Sequence, residues 1–116
     1  MFIDTRGIAA SSKTLEGVRA LDHAIDGYLC MAADTGDRLK AAYAEDSQMP
    51  MADILRGYFF MLMAVPALKV RAGELRGGLE DRWSAMTQRE RLHADAMHAW
   101  AKGFTDQALQ LWETIL

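Results

Sequence analysis

Apolar residues recur at three- and four-residue steps in one segment after another, and this periodicity constrains the fold more than any other feature. Leu15, Val18, Leu21, Ile25, Tyr28 and Leu29 fall on one face of a helix. The spacing predicts helix one from about Thr14 to Met31. Asp34, Thr35, Gly36 and Asp37 form a turn cluster in which Asp34 or Thr35 can cap a second helix, about Thr35 to Glu45. Pro50 suits the first turn of a third helix, which runs to about Ala64, because its missing N–H would be unpaired there. With only two prolines in 116 residues, the chain calls for no strand.

Pro66 opens a fourth helix with a stripe of Leu68, Ala72, Leu75, Leu79, Trp83 and Met86. Gly73, Gly77 and Gly78 each cost about 1 kcal/mol against Ala in a helix interior, so they mark either close backbone approach or a break near Gly77. Thr87 and Glu90 have capping-box spacing and place the start of helix five at Gln88. Leu92, Ala96, Met97 and Trp100 form its buried stripe, and Gly103 ends it. Helix six runs from Thr105 to the last residue, with Ala108, Leu111, Trp112, Ile115 and Leu116 on one face. The expectation is a single all-α domain over 1–116: an irregular lead-in (1–13) and three antiparallel hairpins at about 14–46, 50–86 and 88–116.

Charge and cysteine content narrow the function classes. Sixteen acidic against 13 basic residues give a net charge of −3, with no basic footprint for nucleic acid or an anionic membrane. The apolar run Gly57 to Leu68 is too short to span a bilayer, which takes about 20 residues. Met1 to Ser12 lacks the apolar core of a secretory signal, and the single Cys30 fits a reducing, cytoplasmic location. Cys30 beside Tyr28 and Leu29 reads as a buried, inert thiol.

Asp26-Gly27-Tyr28-Leu29-Cys30-Met31 lines up with Arg56-Gly57-Tyr58-Phe59-Phe60-Met61. A recurring hairpin of about 34 residues is the mark of a tetratricopeptide-type solenoid. The segment Gly103 to Leu116, with Ala108 and Trp112, resembles the second half of such a repeat. Thr87-Gln-Arg-Glu-Arg-Leu-His93 with Trp100 and Gly103, and the opening Asp4-Thr-Arg-Gly7, resemble the N-terminal part of the tetratricopeptide repeat protein 38 family. Thr105 departs from the pattern, standing where the repeat usually has an aromatic. The resemblance implies a cytosolic, all-helical superhelix with no established catalytic residues and no obligatory cofactor.

The chemistry-bearing residues read as structural. Glu90 and His93 have Glu-x-x-His spacing, but a di-iron bundle needs a second copy, and Glu90 is already used by the capping box. His93 and His98 are five apart and point to different faces. Arg71, Arg76 and Arg82 with Glu74, Glu80 and Asp81 give helix four the mixed charge of a solvated face. Most of the eight methionines read as core filling.

The leading expectation is therefore a non-catalytic interaction module, without cofactor or metal, that meets a protein partner or a second copy of itself. Its candidate surface residues are Arg56, Arg89, His93, Trp112, Ile115 and Leu116. The alternative is an enzyme or small-ligand carrier with a pocket near Tyr58, His93 and Trp100.

Overall fold

A computed structural model describes residues 2–4 and 6–116; Thr5, inside the opening Asp4 to Gly7 motif, and Met1 lie outside the described residues. The fold is all-α, with six α-helices among the described residues: α1 (Leu15–Leu29), α2 (Thr35–Glu45), α3 (Pro50–Met63), α4 (Pro66–Leu75), α5 (Gln88–Ala101) and α6 (Thr105–Ile115). Two compact units make up the chain, Met1–Ala52 and Asp53–Leu116.

In the first unit α1 packs against α2. Thr14 caps α1, its hydroxyl accepting from the Gly17 N–H at 2.9 Å. Val18, Leu21, Ala24, Leu39 and Ala42 are buried along these helices, as the three- and four-residue spacing requires. The lead-in is not wholly irregular, contrary to the expectation that no strand is needed. Phe2–Ile3 (β1) pairs antiparallel with Ala9–Ala10 (β2). A side chain builds the turn between them: one Asp4 carboxylate oxygen accepts from the backbone N–H of both Arg6 and Ile8, each at 2.9 Å.

Two polar clamps hold this unit. Arg6 donates to Asp22 at 2.7 Å and to Asp26 at 2.8 Å, one helical turn apart on α1. Asp46, buried just past α2, accepts from Ser12 Oγ at 2.9 Å, from the Lys13 N–H at 2.8 Å and from the Gln48 N–H at 3.0 Å. Burial alone would push the Asp46 carboxyl up. The Lys13 and Gln48 N–H groups, the Ser12 hydroxyl and the Lys13 charge outweigh it and hold the group below its ordinary 3.8.

In the second unit α5 packs against α6, and α4 against α5. The capping box forms as the spacing predicts: the Glu90 N–H donates to Thr87 Oγ1 at 3.1 Å, and the Thr87 N–H donates to Glu90 Oε1 at 2.9 Å. A Cβ on Gly57 would lie 2.6 Å from Met97 Sδ, so the bare backbone of α3 lets fully buried Met97 of α5 approach. The fourth helix does not run to Met86. It stops at Leu75, and Gly77–Ala85 continues as a 3-10 helix. Gly77 and Gly78 give no side-chain support to an α-turn, and nine residues is long for 3-10 geometry. Arginines pin the segment: Arg82 donates to the Gly78 carbonyl at 2.9 Å and to Asp53 at 2.8 Å, while Arg91 donates to the Trp83 and Ser84 carbonyls. Arg76 stacks 3.7 Å from the Trp83 ring centre and pairs with Glu80 and Asp95. Arg76 and Arg82 thus tie elements together, where mixed charge alone suggested only a solvated face.

Left-handed residues close the odd-numbered helices. Met31 (φ 54°), Ala64 (φ 57°) and Gly103 (φ 87°) follow α1, α3 and α5. After α1 the Ala32 N–H reaches the Gly27 carbonyl at 2.8 Å and the Met31 N–H reaches Tyr28 at 3.1 Å. After α5, Phe104 reaches Ala99 at 2.8 Å and Gly103 reaches Trp100 at 3.1 Å, the same Schellman pattern. Only Gly103 takes this conformation without a steric cost.

Candidate functional site

The second unit gathers four of the residues singled out in the sequence. Tyr58 comes from the middle of α3, His93 and Trp100 from positions two turns apart on α5, and Trp112 from α6. Tyr58 lies 5.8 Å from the His93 ring, 6.3 Å from Trp100 and 6.2 Å from Trp112, and Trp100 meets Trp112 edge-on at 5.8 Å. These are the offset and edge-to-face distances that aromatic quadrupoles favour.

Tyr58 Oη is the centre of the cluster. Trp112 Nε1–H donates to it at 3.0 Å, Oη donates to the His93 carbonyl at 3.1 Å, and His93 Nδ1 lies 2.9 Å away. One arrangement satisfies all three contacts. With its proton on the carbonyl, Oη accepts from Trp112 and from Nδ1–H of a neutral imidazole. Nε2 of His93 is then a buried acceptor with no partner among the described residues. Burial, helped by the nearby Arg89 charge, holds His93 down at about 4, because a second ring N–H would have no acceptor.

The other candidate surface residues lie elsewhere. Arg56 is half-buried, with its guanidinium 5.1 Å from the Phe60 ring centre, and Arg89 is exposed. On α6 only Ala108 is buried; Leu111, Trp112 and Ile115 are half-buried, while Leu109 (50% exposed) and, just past the helix, Leu116 (103%) face outward. Cys30, expected to be buried, is exposed. It caps α1 at the point where the helix face turns outward, beside Leu29 at 66% and Met31 at 76% exposure. The methionines divide: Met49, Met61, Met86 and Met97 are buried, and Met31 and Met63 are exposed.

Sequence reasoning missed that Trp112 belongs with Tyr58, and that Arg71 joins Arg56 on the Phe60 ring, at 4.8 Å. The Arg56 to Phe60 step of four residues was a usable signal for half of the second contact. Among the described residues, no group of three or more His, Cys, Asp or Glu side chains could hold a metal ion. No helix among them is long and apolar enough to cross a membrane.

These features define a helical protein with an internally bonded aromatic cluster and an open apolar helix face. The chain matches no family model, no curated protein and no solved structure.

Proposed function

We propose that this protein is a non-catalytic helical interaction module of tetratricopeptide-like hairpins, and that it binds through the open face of α6, a second copy of itself being the first partner to test. One observation carries the reading. A strongly amphipathic helix leaves Leu109 and Leu116 exposed and Leu111, Trp112 and Ile115 half-covered, an apolar face that association would remove from water. Left-handed corners after α1, α3 and α5 support a hairpin repeat. Ring contacts among Tyr58, His93, Trp100 and Trp112 weigh against the pocket alternative, because these side chains meet one another where a ligand would have to sit.

Sedimentation velocity of the full chain against Leu109→Asp tests the proposal. Leu109 is exposed, so the charge leaves the fold in place. A dimeric parent with a monomeric variant supports it; a parent and variant that sediment alike refute the α6 interface.

A further inference from the structure

The stretch of chain that forms the α3–α4 corner carries a charge opposite to that of the whole chain. Between Asp53 and Glu74 there is no acidic residue, while Arg56, Lys69 and Arg71 are all present, in a protein of net charge −3. The same stretch exposes Leu62 (44%), Met63 (50%), Val65 (44%) and Val70 (63%) around the left-handed Ala64.

The two arginines are held without being neutralised. Both guanidiniums face the Phe60 ring, at 5.1 and 4.8 Å, which brings their charges within about 10 Å of each other. Stacking engages the flat face of a guanidinium and leaves its N–H edges free. Arg6, Arg38, Arg76 and Arg82 all pair with carboxylates, whereas Arg56, Lys69 and Arg71 make no ion pair among the described residues.

We propose that the α3–α4 corner is a docking site for an anionic lipid surface, with Leu62, Met63, Val65 and Val70 entering the headgroup boundary and Arg56, Lys69 and Arg71 taking lipid phosphates. Charge complementarity selects the occupant: apolar side chains beside unpaired cations match a surface that is apolar below and anionic above. Residues 62–67 at this corner are all exposed, and a bilayer surface needs no groove to receive them, whereas a bound acidic peptide would. Net charge over the whole chain hides this site, because the compensating acidic residues lie outside the stretch. The proposal does not depend on the α6 interface.

Flotation of the full chain with vesicles tests it. We expect co-flotation with phosphatidylcholine containing about 30 mol% phosphatidylserine, none with phosphatidylcholine alone, and loss of binding in high salt. Lys69→Gln, at an exposed position, lowers partitioning about fivefold, and Arg56→Gln with Arg71→Gln about 25-fold. Val70→Ser, also exposed, lowers it several-fold while leaving the circular dichroism unchanged. No binding to anionic vesicles, equal binding to neutral ones, or Lys69→Gln and Val70→Ser behaving like the parent would each overturn the proposal. Binding of polyglutamate by a chain that ignores anionic vesicles would overturn it too, and assign the corner to an acidic protein.

Discussion

Asp46 in the first unit and Tyr58 in the second each gather three polar contacts, and they hold their surroundings by opposite chemistry. Asp46 is an ionised carboxylate collecting three donors, at its strongest when charged. Tyr58 is a neutral hydroxyl that ties together a neutral imidazole and an indole, and charge at His93 would weaken it. The first unit adds a second ionic clamp, Arg6 on Asp22 and Asp26; the second has ion pairs around Arg76 and Arg82, but its aromatic cluster rests on ring contacts and a desolvated histidine. The two units should therefore respond to acid over different pH ranges. All three tryptophans, Trp83, Trp100 and Trp112, lie in the second unit, so indole fluorescence reports on it alone.

Acid gives the largest expected separation. His93 is held at about 4 in the folded protein, against 6.5 when unfolded, so between those values the unfolded state binds more protons. Its contribution is complete above pH 6.5, falls as pH drops toward 4 and changes no further below that. The full loss is about 3 kcal/mol. Asp46 has the opposite shift: its contribution is present above 3.8 and is lost as pH falls through its lower folded value. Urea midpoints followed by tryptophan fluorescence should thus fall between pH 6.5 and 4, while the Asp46 knot stays intact. A flat midpoint across that range would break the comparison.

Tyr58→Phe should cost the second unit about 1–3 kcal/mol, because Trp112 Nε1–H and His93 Nδ1 lose their shared partner while the ring packing stays. The acid response should persist in this variant, because burial and the Arg89 charge, not the hydroxyl, hold His93 down, as the same titration would read out. Asp46→Asn keeps the shape but replaces an acceptor-only carboxylate that takes three donors, at a cost of about 1–2 kcal/mol. That loss belongs to the first unit and should appear in amide hydrogen exchange of α1 and α2. Met31→Gly relieves a left-handed side chain in an exposed turn and should stabilise α1's end by about 0.5–1 kcal/mol, measured by thermal melting. Destabilisation by the glycine would mean that the Met31 side chain contributes packing its 76% exposure does not reveal.

What could be read from the residues was local. Thr87 and Glu90 lie three apart and settle their own geometry, so the start of α5 was legible. The start of α2 follows from the turn cluster before it, although Asp34 pairs with Arg38 in place of capping. Trp112 and Tyr58 are 54 residues apart, and no periodicity connects them. Helix four failed as a continuous element because arginine-to-carbonyl bonds from Arg82 and Arg91 support the 3-10 turns that propensity disfavours. The Phe2–Ile3 pairing depends on the Asp4 carboxylate acting as a turn, which apolar spacing does not register. Cys30 was misplaced because its apolar neighbour Leu29 is itself exposed where α1 ends.

The central functional claim is that the α6 face is an interface. Absolute mass by light scattering across a size-exclusion peak, at two protein concentrations, tests it most directly. A stable dimer, twice the 12.9 kDa chain mass, is the predicted result at the higher concentration. A monodisperse monomer at both concentrations would contradict self-association through Leu109, Ile115 and Leu116.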